Sequence, residues 1–113
     1  MRVELVKEFT FEVAHRSPHF PAGHSCPPLH SHSFRVALTV ESEVDFRTHK
    51  GHLIGYDDIE LAMQPLLDQY LDHAYLNKVE GLENPTSENI SKWIWGRLKD
   101  RLPGLMRVSV YET

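Results

Sequence analysis

Apolar and polar residues alternate along three stretches of the chain, which is typical of strands with one buried face. In residues 2–15 the apolar residues occupy odd positions, with Lys7 as an exception: Val3, Leu5, Phe9, Phe11 and Val13. A second stretch has its apolar residues at even positions: Phe34, Val36, Leu38 and Val40. In the last stretch the apolar face consists of Met106, Val108 and Val110.

Two stretches between the second and third strands have a helical period. In the first, Asp57 or Asp58 is placed to cap a helix whose apolar face is Ile59, Met63, Leu66 and Tyr70. Pro65 lies inside this pattern and should kink or interrupt the helix.

In the second helix, Thr86 is the predicted N-cap, and Ile90, Ile94 and Leu98 form the apolar face. Pro103-Gly104 is predicted to end this helix. The predicted order β-β-α-α-β indicates an α+β fold, with an antiparallel sheet packed against two helices in a single domain of residues 1–113. So small a sheet has open edges, which favour pairing with other chains, so we expect a homo-oligomer.

Composition narrows the possible functions. The chain has 113 residues and a net charge of −4, which argues against a nucleic-acid-binding surface. The mean hydropathy is −0.39 and the N-terminus lacks an apolar stretch of signal-peptide type, so we expect a cytoplasmic protein without membrane contact. Eight histidines are the unusual feature, because histidine is both the commonest metal ligand and an acid–base group near neutral pH.

Three of these histidines extend the apolar faces of the first two strands. His15 has the odd parity of the first strand, and His30 and His32 have the even parity of the second. If the two strands pair as a hairpin, the three imidazoles converge at one end of the sheet. Three protein ligands leave a tetrahedral metal with an open position, as in catalytic zinc sites.

Three further residues have more than one interpretation from sequence alone. Cys26 is a fourth metal ligand, a reactive thiol or an inert buried thiol. Asp72-His73 is either a proton-transfer pair or a solvent-exposed pair at a helix end. Glu112 has core-facing parity and could hold a heterocycle with two parallel N–H donors, or it could fray at the end of the last strand.

Several sequence blocks together resemble the 6-pyruvoyltetrahydropterin synthase family, and specifically its bacterial queuosine-pathway branch. The blocks are FTFEVAHR (9–16), GHSCPPLHSHSF (23–34), LDHAYLN (71–77), GLENPTSENISKWIW (81–95) and VYET (110–113). The resemblance covers nearly the whole chain. Only three residues separate Cys26 from His30, which favours the carboxy-forming bacterial branch over the pyruvoyl-forming animal enzymes.

The resemblance implies a role for each residue of these motifs. One zinc ion per subunit would be held by His15, His30 and His32. Cys26 would be the catalytic thiol, with Asp72 and His73 as its acid–base partners. Glu112 would anchor the pterin ring, and Thr86, Ser87 and Glu88 would contact it.

The resemblance also implies a reaction and an assembly. The reaction would convert 7,8-dihydroneopterin triphosphate to 6-carboxy-5,6,7,8-tetrahydropterin, acetaldehyde and triphosphate, in queuosine biosynthesis. The fold would be the tunnelling fold (T-fold), with trimers stacked into a homohexamer and active sites between subunits. The alternatives are triphosphate elimination to the pyruvoyl product, and a catalytically idle relative that only binds metal.

Overall fold

Residues 1–15, 30–44, 47 and 54–113 are described by a computed structural model, with backbone only for His15, His30 and Ser31. Two long strands come first, β1 (Arg2–His15) and β2 (His30–Glu43). Helix α1 (Tyr56–Leu66) leads into a π-helical turn (Leu67–Leu71) and a short strand, β3 (Ala74–Tyr75). A 3₁₀ turn (Leu76–Lys78), helix α2 (Ser87–Leu98) and strand β4 (Leu105–Glu112) follow.

The strands form one four-stranded mixed sheet in the order β3-β1-β2-β4. β1 pairs with β2, and β2 with β4, in antiparallel register, whereas β3 runs parallel to β1. The predicted α+β class and two helices are confirmed. β3 was missing from the prediction because two residues are too short to show an alternating pattern.

The core lies on one face of the sheet, beneath the two helices. Its strand residues include Phe9, Phe11 and Val13 of β1 and Phe34 and Val36 of β2, as the alternation predicts. The rings of Phe11 and Phe34 stack across the β1–β2 pair, with centroids 5.6 Å apart. Lys7, the exception in the pattern, places its ammonium 5.6 Å from the Phe9 ring centroid.

The prediction that Met106 belongs to the apolar face of the last strand is wrong. The β2–β4 register shifts between Thr39 and Val40, so that Arg107 pairs with Thr39 and Leu105 with Val40. Met106 is therefore the extra residue of a β-bulge, and its side chain is 43% exposed. Leu105 packs against the core in its place.

Helix α1 begins and ends differently from the prediction. Its N-cap is Gly55, and Asp58, in the first turn, accepts a hydrogen bond from the Gly55 N–H at 2.8 Å. Pro65 lies inside the helix, which continues to Leu66 and then changes to π-helical hydrogen bonding. Because proline has no N–H, the α-helical pattern is weakened at that point. Tyr70, predicted on the apolar face, is half-buried and packs at the edge of the core.

Helix α2 follows the predicted cap. The Thr86 hydroxyl accepts a hydrogen bond from the Asn89 N–H at 3.2 Å, and Ile90, Ile94 and Leu98 are buried. The helix ends at Leu98, several residues before Pro103. Gly104 then adopts a left-handed conformation (φ 89°) and its carbonyl accepts from the Glu41 N–H at 2.8 Å. None of the described helices is long and apolar enough to cross a membrane.

Candidate active site

The β1–β2 register brings the three predicted metal ligands to one end of the sheet. His15 lies directly opposite His30, and His32 lies opposite Val13, two residues further along the ladder. Residues directly opposite each other, and residues two apart on one strand, share a face of the sheet. The side chains of His15 and His30 lie outside the described part of the chain, so the backbone register is what places them.

His32 has a carboxylate beside its ring. Its Nδ1 lies 3.0 Å from Oε1 of Glu112, a residue of the neighbouring strand β4. The His32 side chain is partly buried, with 26% exposed, whereas Glu112 is exposed, at 48%. The ring of His32 also lies 6.4 Å from that of Phe34, between centroids, at the edge of the core.

The end of β4 is held in place by hydrogen bonds. Glu112 pairs with Phe34 in the β2–β4 register. The N–H and the hydroxyl of Thr113 both donate to the Ser33 carbonyl, each at 2.9 Å. These bonds argue against fraying, which the sequence alone left as one interpretation for Glu112.

Asp72 and His73 lie at the turn between the π-helical segment and β3. The Asp72 carboxylate accepts from the Glu12 N–H at 3.1 Å, and the His73 N–H donates to the Glu12 carbonyl at 2.6 Å. These two bonds anchor the pair to the outer edge of β1. Oδ2 of Asp72 lies 3.6 Å from Nε2 of His73, which is within ion-pair range but slightly beyond hydrogen-bond distance.

The backbone of His73 is left-handed, with φ 59°. Histidine adopts this conformation more readily than most residues, and here it turns the chain into β3. The His73 side chain is 76% exposed. An imidazole so open to water would need further cover before it could act on a sequestered substrate.

An open cleft of about 580 Å³ joins the two parts of the site. Its lining includes His32 and His73, together with Glu12, Tyr75 and Thr113. That volume is within the range of small-molecule sites. Thus a predicted metal ligand and a predicted acid–base residue face the same space, although 41 positions separate them in sequence.

Among the described residues, the other predicted site residues do not line this cleft, and these include Asp72 and Glu112, which are neighbours of His73 and His32. Thr86, Ser87 and Glu88 form the N-terminal end of α2, and none of them is among the described residues that line it. Cys26 lies outside the described residues. Thr86 uses its hydroxyl to cap α2, a structural role that can coexist with backbone contacts to a ligand.

The described part of the chain contains no group of three histidine, cysteine, aspartate or glutamate side chains that could hold a metal. Two of the three predicted ligands, His15 and His30, have side chains outside the described part of the chain. What is described fits a zinc centre, because a carboxylate beside a histidine ring is the usual environment of a zinc ligand. The backbone register supplies the positions of the other two histidines.

The sequence did not indicate that Glu12, Ser33 and Thr113 support the site. They do so mainly through backbone groups: Glu12 holds the Asp72–His73 turn, and Ser33 holds the end of β4. Backbone groups leave no signature in residue type, so these roles depend on the register alone.

Comparisons with known proteins identify the family of this chain. A model of the 6-pyruvoyl tetrahydropterin synthase family matches residues 4–113. The 6-carboxy-5,6,7,8-tetrahydropterin synthase of Synechocystis sp. is 41% identical over 112 residues, which are 96% of this chain and 85% of that protein. The dihydroneopterin monophosphate aldolase of Pyrococcus furiosus is 30% identical over 115 residues, 99% of this chain and 91% of that protein.

A solved structure supports the same grouping. The 6-pyruvoyl tetrahydropterin synthase of Caenorhabditis elegans superposes with a TM-score of 0.82 at 25% identity, covering all of this chain and 90% of that one. The fold and the histidine-bearing end of its sheet therefore define an α+β protein of the T-fold class. The chain belongs to the 6-pyruvoyl tetrahydropterin synthase family, as the sequence motifs indicate. It is a homologue of 6-carboxy-5,6,7,8-tetrahydropterin synthase along nearly its full length.

Proposed function

We propose that this protein is a zinc-dependent lyase of queuosine biosynthesis. It would convert 7,8-dihydroneopterin triphosphate and one molecule of water to 6-carboxy-5,6,7,8-tetrahydropterin, acetaldehyde and triphosphate. The observation that carries the proposal is the 41% identity with the Synechocystis enzyme across 96% of the chain. The cleft shared by His32 and His73 supports it, since the reaction needs a metal ligand and a proton-transfer group around one substrate.

His15, His30 and His32 are the residues that would hold the zinc ion. Bound zinc supplies a Lewis acid that lowers the cost of negative charge on the side-chain hydroxyl oxygens of the substrate. A set of three protein ligands is typical of catalytic rather than structural zinc sites.

Side chains of the protein then transfer protons and position the substrate. His73, oriented by Asp72, exchanges protons with the substrate side chain from one side. The Cys26 thiol exchanges protons from the other side. Glu112 accepts from the parallel N–H donors of the pterin ring and so fixes the reacting carbons within reach of both groups. Thr86, Ser87 and Glu88 complete the pterin contacts.

The active site would be completed by a second subunit. Within the described part of the chain, residues 2–12 of β1 have no strand on their outer side, because β3 pairs only with Val13 and Ala14. β4 is the strand at the opposite edge of the sheet, and Tyr111 on it is 47% exposed. Edge-to-edge pairing into trimers, stacked as a homohexamer, would cover these edges and the exposed His73.

Three basic residues of the sequence, Arg16, Arg35 and Lys78, are candidates for contacts with the triphosphate. Arg35 stacks its guanidinium over the Tyr111 ring at 4.7 Å, and Lys78 lies exposed in the 3₁₀ turn. Neither is among the described residues that line the cleft. Arg16, the third candidate from the sequence, lies outside the described residues.

Product identification tests the proposal. The zinc-loaded protein is given 7,8-dihydroneopterin triphosphate, and separately the monophosphate, and products are identified by mass spectrometry. The proposal predicts 6-carboxytetrahydropterin with acetaldehyde from the triphosphate. A pyruvoyl product would assign the chain to the eliminating branch. Cleavage of the monophosphate alone would align it with the Pyrococcus relative, and unchanged substrates would favour an idle metal-binding relative.

A further inference from the structure

Glu112 has a neighbour that pterin anchoring does not explain. Its Oε1 lies 3.0 Å from Nδ1 of His32, one of the three residues proposed to hold zinc. We propose that Glu112 is a positioning residue for the metal site, which holds His32 in the tautomer that presents Nε2 to the zinc ion. This inference rests on the zinc site of the proposed function and adds to it a residue outside the ligand set.

The geometry that brings the two side chains together comes from the sheet. His32 and Phe34 are on the same face of β2, and Glu112 lies opposite Phe34 in the β2–β4 register. The diagonal neighbour of Glu112 on that face is therefore His32, within reach of a long side chain. The two hydrogen bonds from Thr113 to the Ser33 carbonyl fix the end of β4 at this register.

The chemistry follows from what each group can donate. An ionised carboxylate only accepts hydrogen bonds, so a carboxylate oxygen 3.0 Å from Nδ1 assigns the proton to Nδ1. The lone pair of the neutral imidazole then belongs to Nε2. Carboxylates that accept from the second nitrogen of a metal-bound histidine fix its tautomer and ring orientation, and their loss typically lowers metal affinity about 10–100-fold.

This role is compatible with pterin anchoring. A carboxylate offers about four lone-pair positions over its two oxygens, and His32 uses one of them on Oε1. The same side chain can therefore accept from His32 and from a pterin ring. Glu112 would then contact both a ligand of the metal and the substrate, and its replacement should affect both kinds of binding separately.

Zinc affinity provides the first test. Three apoproteins are compared: the unchanged protein, Glu112→Ala and Glu112→Gln. Each competes with a chromophoric chelator for zinc in the absence of substrate. We expect Glu112→Ala to weaken zinc binding about 10–100-fold, and Glu112→Gln to weaken it less, because the amide oxygen can still accept from Nδ1. Glu60→Ala is the matched control, an exposed glutamate of helix α1 outside the strands of the site, and should leave the affinity unchanged.

The tautomer of His32 provides a second readout, independent of metal and of activity. Long-range ¹H–¹⁵N spectra of the apoprotein, assigned with His32→Gln, should show the proton on Nδ1 in the unchanged protein and its loss from that position in Glu112→Ala. Circular dichroism confirms that each variant is folded.

Two results would overturn the inference. One is an unchanged zinc affinity in folded Glu112→Ala and Glu112→Gln, with only pterin affinity reduced. The other is an Nε2-protonated His32 in the unchanged apoprotein. Failure of the proposed function is a different observation: the zinc affinity would still respond to Glu112, while no carboxytetrahydropterin would be formed.

Discussion

The Asp72 carboxylate lies beside two groups, and substitution can separate its effects on them. One oxygen accepts from the Glu12 N–H at 3.1 Å, and the other lies 3.6 Å from Nε2 of His73. Asp72→Ala removes both interactions. Asp72→Asn keeps an oxygen that can accept from Glu12 but removes the negative charge beside the imidazole.

The structure gives different magnitudes for the two variants. Asp72 is 39% exposed, so in Asp72→Ala water can partly replace the bond to Glu12, and the loss is that of one ordinary hydrogen bond, about 1 kcal/mol. With a urea m value of about 1.5 kcal/mol per M, the unfolding midpoint falls by about 0.7 M. Asp72→Asn should unfold close to the unchanged protein.

Turnover should respond differently from stability: it should fall in both Asp72 variants, whereas only Asp72→Ala should be less stable. In the proposed mechanism Asp72 orients His73 for proton transfer, so kcat should fall about 10²–10⁴-fold in both Asp72→Ala and Asp72→Asn. Asp100→Asn, an exposed aspartate after α2, is the matched control and should change neither property. All proteins are compared at one concentration, because the stability of an oligomer depends on it.

If Asp72→Asn keeps kcat within twofold of the unchanged protein, the negative charge of Asp72 has no part in proton transfer and its proposed role is refuted. If Asp72→Asn unfolds at as low a urea concentration as Asp72→Ala, the amide does not replace the acceptor for Glu12, and the expected separation of the two effects is refuted.

Three further outcomes are expected. Gly104→Ala should destabilise the protein by about 1–3 kcal/mol in urea unfolding, because φ is 89° and a Cβ would collide with the Glu41 carbonyl. Gly96→Ala should instead stabilise the protein by about 0.5–1 kcal/mol, because a Cβ at this position of α2 meets no other atom. Thr86→Ala should lower the free energy of unfolding by about 0.5–2 kcal/mol, because the Asn89 N–H loses its cap. Sedimentation at micromolar concentration should show a trimer or hexamer, and a monomer alone would contradict an active site completed by a second subunit.

The alternating pattern predicted the core face of β1 and β2 correctly because both strands pair without interruption. The alternating pattern gave the wrong face for Met106. The strand has a bulge opposite Thr39 and Val40, and Met106 is the extra residue there. A bulge depends on how two strands meet and leaves no mark in the alternation of one of them. The parity of Glu112 was read correctly because it lies beyond the bulge, in register with Val108 and Val110.

The candidate site was predictable to the extent that it depends on residue type. His15, His30 and His32 stand out because titratable groups replace apolar ones at the ends of two strands. The environment of Asp72 was not predictable, because it depends on a π-helical turn that brings the chain back to the edge of β1. A contact between residues 60 positions apart requires the fold.

The proposed reaction requires a zinc site with three histidine ligands and an open position, and a Cys26 thiol that is not a ligand. X-ray absorption at the zinc edge, on the zinc-loaded protein without substrate, tests it most directly. We expect only nitrogen and oxygen ligands around the zinc ion, at about 2.0–2.1 Å. A sulfur ligand at about 2.3 Å would contradict it, because Cys26 would then close the site as a fourth ligand.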